Sequence, residues 1–333
     1  MVDSLPVTQP QPATVPPRPA GVDLSVNVGV LSFKNPVIAA SGTIGYGVEF
    51  AELVNLNRLG GIVVKGLSAE PMAGAEPPRI CDTASGMVNA IGLQNIGVRA
   101  FVEEKLPLLR RFDTHVIANV FGSTVEGYLN VIRVLEQVEG VAGYELNVSC
   151  PNVDKGGIEF GTDPGSMSAV VSEARKATQR PVWVKLAPVV GFIGIMAKAA
   201  EDAGADALTI ANTYPALCID VHNRKSRLGS TTGGLSGPAI KPITVRLVYE
   251  ACKTVRIPVV GLGGIETPED ILEYTLSGAS AVEVGTAHFV DPRASEKLAA
   301  GLEKWCRANN VIRLSELRGG LTAKSGLLEA ARN

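Results

Sequence analysis

One pattern constrains this chain more than any other. A short apolar, β-branched run, a turn and a stretch with helical periodicity recur through most of its length. The runs are Pro36–Ala40, Gly61–Lys65, Val116–Val120, Gly143–Asn147, Val182–Leu186, Ala207–Ile210, Val259–Leu262 and Ala281–Val284. Helical spacing is read in Phe50–Asn57, Val125–Gln137, Pro164–Thr178, Phe192–Ala203, Lys241–Thr254, Pro268–Ser277 and Arg293–Ala308. A helical crossover returns the next strand parallel to the last, so the alternation specifies a parallel sheet covered by helices. Eight such units, in a span near the roughly 250 residues of a closed barrel, predict an α/β fold of the (β/α)8 TIM-barrel kind. An open doubly wound sheet fits the count less well.

The flanks fit that frame. Val22–Phe33 alternates apolar and polar residues as a half-exposed hairpin would, and could cap one end of the barrel. Before it, residues 1–21 are rich in proline and poor in core-forming side chains, and are read as a disordered extension; 22–333 are then one domain. After the second run comes a long insertion, Leu67 to Asp113. Its segment Met87-Val88-Asn89-Ala90-Ile91-Gly92-Leu93-Gln94-Asn95 reads as too polar and glycine-broken for a core element, and barrel insertions of this size are usually functional.

Several function classes drop out. The net charge is −2 with basic residues scattered, which argues against nucleic acid or an acidic membrane surface. The five cysteines are far apart and form no Cys-x-x-Cys pair, which argues against a disulfide framework, a zinc site or an iron–sulfur cluster in this chain. His115, His222 and His288 are too scattered to suggest a metal site, so none is expected. No apolar run approaches the roughly 18 residues of a membrane span and no signal peptide is read, so the expectation is a cytoplasmic protein.

A barrel carries its chemistry on the loops that follow its strands. Unusual residues do collect there. Ala40-Ser41-Gly42-Thr43 would let a flat ligand approach the backbone; Lys65-Gly66, Asn119 and Ala211-Asn212-Thr213-Tyr214 end other runs. Lys185, inside Val-Trp-Val-Lys-Leu-Ala, should point into the mouth, where an ammonium without an anionic partner would be costly. Gly263-Gly264 and Gly285-Thr286 follow the last two strands, where many barrels hold phosphate on backbone amides and a helix N-terminus; Gly233-Gly234 and Gly237 are read as a third part of that cradle, opening the next helix. There is no Gly-x-Gly-x-x-Gly after a first strand, so a Rossmann nicotinamide site is not expected.

The fourth loop is the most informative. Tyr144-Glu145-Leu146-Asn147-Val148-Ser149-Cys150-Pro151-Asn152 turns abruptly from a buried strand to amides, a hydroxyl and a thiol. Pro151 removes a backbone donor and pushes Cys150 out of helical geometry. A thiol held on such a turn can serve as a base, since cysteine titrates near pH 8.5. Asn147 and Asn152 each offer donor and acceptor to a planar ligand edged with amides.

Asn-Val-Ser-Cys-Pro-Asn resembles the catalytic loop of the class 1 dihydroorotate dehydrogenases, flavoproteins of pyrimidine synthesis, and the likeness spans about residues 23 to 310 with several motifs in order. It implies one FMN per chain, contacted by Ser41, Lys65, Gly66, Asn119, Asn147, Lys185, Ala211, Gly237, Gly263, Gly264, Gly285 and Thr286. It implies that dihydroorotate and orotate are held by Lys65, Asn89, Ala90, Ile91, Gly92, Leu93, Asn147, Asn212 and Thr213. Cys150 matches the base that removes the C5 proton while hydride leaves C6 for the flavin. Asn-Ala-Ile-Gly-Leu-Gln-Asn and Ala-Asn-Thr-Tyr are most similar to the type 1B catalytic subunit. That type has a homodimer core within a heterotetramer, whose electron-transfer subunit carries FAD and a [2Fe–2S] cluster and passes electrons to NAD+. The fumarate-using type 1A is the nearer rival. The membrane-bound class, with a serine base and an apolar N-terminal helix, is less similar. Read without the resemblance, the cradle also suits a non-redox phosphate-binding isomerase or lyase, or a scaffold subunit without catalysis.

Overall fold

The computed structural model describes residues 21–149, 151–152, 158–188 and 191–322. The proline-rich extension, apart from Gly21, and Cys150 lie outside them. Eight parallel strands close into a barrel: β1 (Val37–Ala39), β2 (Gly61–Val63), β3 (His115–Val120), β4 (Gly143–Asn147), β5 (Val182–Leu186), β6 (Ala207–Ile210), β7 (Val259–Leu262) and β8 (Ala281–Val284). Each pairs in parallel with its neighbours in chain order, and β8 returns to β1. Every predicted strand is present, trimmed by at most two residues at an end apart from β3, which gains His115.

Alternation along these strands builds the interior in layers, since every second side chain faces the same way. The lower layer is apolar: Ile38, Val63, Ile117, Trp183, Ala207, Val260 and Ala281 pack in one cluster with Val28 and Phe33 of the N-terminal hairpin. That hairpin, Val26–Val28 paired antiparallel with Leu31–Phe33, seals the bottom as its pattern suggested. Phe33 is buried edge-on to His115, with ring centroids 4.9 Å apart. Two residues further along the same strands stand Ala40, Lys65, Asn119, Lys185, Thr209, Leu262 and Glu283. The interior thus turns from oil to charge within one step of each strand.

Outside, helices start where local chemistry permits. Thr124 caps Val125–Glu136, Asp163 caps Pro164–Ala177, and a capping box of Thr267 and Asp270 opens Pro268–Leu276. Ile193–Asp202, Lys241–Thr254 and Ala294–Ala308 complete the ring close to the predicted bounds. Among the described residues no helix is long and apolar enough to cross a membrane.

Three expectations need correction. Phe50–Asn57 is not a helix but two 3-10 turns, Val48–Phe50 and Leu56–Arg58. The Asn55 side chain accepts from the backbone N–H of Asn57, offering the chain an alternative to helix. The insertion is more structured than its glycines suggested. Gly86–Asn89 is a strand with Val88 buried, and Val98–Leu109 is a helix that includes a π turn over Phe101–Lys105. Gly233–Ser236 does not open a helix: it pairs with Gly86–Asn89 and with Tyr214–Ala216 in a four-stranded antiparallel sheet completed by Ile80–Thr83. Gly234 is small because a Cβ there would lie 2.0 Å from Thr213 Oγ1.

Truncating the bottom seal should be costly. Phe33→Ala is expected to destabilise the fold by about 3–5 kcal/mol, seen as a lower midpoint in urea unfolding; an unchanged midpoint would mean the hairpin does not close the core.

Candidate active site

At the carboxyl ends of the strands the barrel opens into a cavity of ≈ 390 Å³. Its floor is the charged layer. Lys185 Nζ stands 3.5 Å from Glu145 Oε1 and 3.6 Å from Glu283 Oε2, and both carboxylates are fully buried. Asn119 Nδ2 donates to Glu145 Oε1 at 2.7 Å, and Thr209 Oγ1 donates to Glu145 Oε2 at 2.8 Å. Burial alone would raise the Glu145 pKa; the adjacent ammonium and these donors hold it below the usual carboxylate value. Glu283 has weaker support: Lys185 is 3.6 Å away, Thr209 Oγ1 lies 3.2 Å from its Oε1, and its Oε2 has no hydrogen-bond partner. Burial and the charge of Glu145 push its pKa well up. Lys185 keeps its proton, because two carboxyl groups outweigh the cost of burying it.

Glycine turns form one wall. Gly263 and Gly264 follow β7 with φ of +149° and +66°, and Gly237 faces them with φ +98°. These values favour glycine over any side chain. A Cβ on Gly264 would also lie 2.8 Å from the Gly237 carbonyl oxygen. Gly285 differs: a Cβ there would meet nothing closer than 3.6 Å, so its side of the cavity is open. Behind it, buried His288 ties the β8 turn to the β1 turn. Its Nδ1 lies 3.1 Å from the Gly285 carbonyl oxygen and 3.2 Å from Thr43 Oγ1, and its Nε2 lies 2.9 Å from Ser295 Oγ. Bonding of Nδ1–H to a carbonyl sets the tautomer, with Ser295 donating to Nε2.

The remaining walls supply amides and a second lysine. Asn212 Nδ2 donates to Asn147 Oδ1 at 3.2 Å and to Ser149 Oγ at 3.0 Å, while Asn212 Oδ1 accepts from the Thr213 backbone at 2.8 Å. From the insertion, Asn89 donates to the Gly234 carbonyl, and Ala90 to Leu93 run along the rim. Lys65 lies half-buried in the cavity with no carboxylate in ion-pair range among the described residues; burial and the nearby Arg79 charge push its pKa down.

The residues that the resemblance assigns to FMN and substrate all line this cavity, and Cys150 lies outside the described residues next to cavity-lining Ser149. All eight strands deliver at least one. Gly233 and Gly234, read as part of a phosphate cradle, do not line it. Glu145, Thr209, Glu283 and His288 were missed. The first three had a signal, since they face inward in the same alternation that carries Asn119 and Lys185; His288 had none in local sequence. No group of three or more His, Cys, Asp or Glu side chains is placed to hold a metal among the described residues.

Residues 23–305 match the model of the family described as dihydroorotate dehydrogenase. The chain belongs to that family. This dihydroorotate dehydrogenase is 54% identical over 298 residues, 90% of its own chain and 98% of the relative, to a provisionally named dihydroorotate dehydrogenase A (fumarate) of Solibacter usitatus. It is 50% identical over 299 residues to the "Dihydroorotate dehydrogenase B (NAD(+)), catalytic subunit" of Pelobacter propionicus and 51% identical to that of Geobacter metallireducens, again covering 90% of this chain and 98% of each relative. In fold it is similar to the dihydroorotate dehydrogenase of Eimeria tenella solved with ferulenol, with a TM-score of 0.72 and 22% identity, covering 90% of this chain and 88% of that one. Membership makes it an oxidoreductase acting on dihydroorotate, in a family that implies FMN.

His288 generates a pH prediction. Burial lowers its pKa from 6.5 to about 4. Above pH 6.5 neither folded nor unfolded chain binds the proton; as pH falls below that, the unfolded chain does and the folded one does not. Stability should therefore fall between pH 6.5 and 4, by up to about 3 kcal/mol. Urea unfolding of His288→Gln across that range should lack this part of the loss. Parallel curves would show that His288 is protonated in the folded protein.

Proposed function

We propose that this dihydroorotate dehydrogenase holds FMN across the barrel mouth and converts (S)-dihydroorotate to orotate on it, with Cys150 as base. The observation that carries the reading is the convergence of the expected flavin and substrate residues, from loops after all eight strands, on one cavity. The residues fit the cofactor. Gly263, Gly264, Gly285 and Thr286 follow β7 and β8, where barrels hold phosphate, and Gly237 stands opposite. Ser41, Gly66, Asn119, Asn147, Lys185 and Ala211 would surround the ring. When bound, FMN supplies a hydride acceptor.

The chain's own side chains account for the rest. Lys185 would present a positive edge to the ring, favouring electron uptake. Lys65 has no carboxylate in ion-pair range among the described residues and would take the carboxylate of the substrate, which would restore its ordinary proton affinity. Asn89, Asn147, Asn212 and Thr213 would orient the amide edges, with Asn212 already fixed by three hydrogen bonds. Residues Ala90 to Leu93 would close over the ring as a roof. Cys150 would remove the C5 proton, a general-base contribution typically about 10²–10⁴-fold.

For the acceptor we favour NAD+ through an electron-transfer subunit carrying FAD and a [2Fe–2S] cluster, on a homodimer core. Relatives at 50% and 51% identity bear the NAD+ catalytic-subunit name. Phe289 lines the cavity yet is 54% exposed, and Val290 beside it is 84% exposed, an apolar rim suited to a docked partner. The fumarate reading has the Solibacter usitatus relative in its support. A non-redox barrel has no observation in its favour.

The purified protein should be yellow, and anaerobic dihydroorotate should bleach it. Offering NAD+ or fumarate, with and without the candidate partner, should restore the colour with NAD+ only when the partner is present; restoration by fumarate alone would favour the rival. Cys150→Ala should retain the flavin and slow its bleaching by about 10²–10⁴-fold, whereas unchanged bleaching would remove Cys150 from the role.

A further inference from the structure

The floor of the barrel holds two carboxyl groups for one ammonium, and hydrogen-bond counting separates them. Glu145 has donors on both oxygens, from Asn119 at 2.7 Å and Thr209 at 2.8 Å, with Lys185 nearby at 3.5 Å. Glu283 has much less. Its Oε2 has no hydrogen-bond partner although it is fully buried, and Lys185 remains at 3.6 Å. Its Oε1 lies 3.2 Å from Thr209 Oγ1. A threonine hydroxyl has one proton to donate. If Thr209 gives it to Glu145 over the shorter contact, the longer one is a hydrogen bond only when the proton comes from Glu283.

Charge leads to the same assignment. With both carboxyl groups ionised the floor would carry a net negative charge, sealed from below by Trp183, Ala207, Ala281 and the hairpin. An ionised Glu283 with a bare oxygen there would be expensive, whereas a neutral acid tolerates a bare carbonyl oxygen. Glu145 and Lys185 are the charged groups that act on Glu283, one repelling its ionised form and the other attracting it.

We infer that Glu283 is a positioning residue, a proton-bearing carboxylic acid that shares Lys185 with Glu145 and keeps the floor beneath the cofactor electrically neutral. The consequence rests on the FMN reading. A floor of Glu145, Lys185 and neutral Glu283 leaves the ammonium half committed to protein and half available to an electron-rich ring. A second ionised carboxylate would oppose placing electrons there. Glu283 thus acts through Lys185 and touches neither cofactor nor substrate.

Two measurements test this. Infrared absorption of the purified holoenzyme at neutral pH should show a buried carboxylic-acid C=O band that is missing from Glu283→Gln; spectra without that difference overturn the proposal. The second is the ratio of dissociation constants for oxidised and reduced FMN. Glu283→Gln removes no charge if Glu283 is a neutral acid and should leave the ratio within about twofold, whereas removing an ionised carboxylate from the floor would shift it towards reduced FMN by about tenfold or more. A shift of about tenfold or more in Glu283→Gln means Glu283 was ionised and overturns the proposal. Should the protein take up no FMN, the flavin reading fails, and the infrared comparison still decides Glu283.

Discussion

The ammonium of Lys185, standing between two carboxyl groups inside a closed barrel, is the arrangement on which the rest of this structure depends. Such a cluster survives out of water only when its charges balance and its ionised groups are hydrogen-bonded. Asn119 and Thr209 supply hydrogen bonds laterally. Below, the apolar layer from Ile38 to Ala281 and the plug of Val28 and Phe33 keep water out. Above, the cluster opens through Lys185 onto the cavity. Removing the hairpin or the lower layer would do more than loosen packing: it would let solvent into the floor and weaken the electrostatics acting on the mouth.

On the proposed function, the same cluster lets one barrel end combine two chemistries. An electron-rich ring needs fixed positive charge close by, and an acidic pyrimidine needs a cation of its own. Lys185 is held by carboxyl groups at the floor, while Lys65, two residues beyond apolar Val63, has no carboxylate in ion-pair range among the described residues. Two lysines in like sequence settings therefore stand in different surroundings, and the difference lies in what β4 and β8 place opposite Lys185.

Much of this was legible in the sequence because barrels are regular. A period of two along each strand and a helix after it gave all eight strands, and loop placement gave the cavity wall. Lys185 was marked as needing an anion, but the anions were not found. Glu145 and Glu283 each sit in an apolar run that reads as ordinary buried strand, and only phasing each strand against Trp183 or Ala281 reveals which way they point. What was not legible is non-local. The sheet over the mouth joins Ile80–Thr83 and Gly86–Asn89 to segments more than a hundred residues later, a pairing no local pattern encodes. His288 is similar: its partners Thr43 and Ser295 are brought together by closure of β8 onto β1. Phe50–Asn57 failed for a local reason, an asparagine side chain competing for the backbone.

The most direct test of the account is a crystal structure of the protein as purified, soaked with orotate. The account requires FMN in the mouth with its phosphate against the Gly263-Gly264 and Gly285-Thr286 turns, its ring above Lys185, and orotate stacked between the ring and Cys150. A phosphate bound elsewhere, or a Cys150 sulfur out of reach of the pyrimidine, would contradict it.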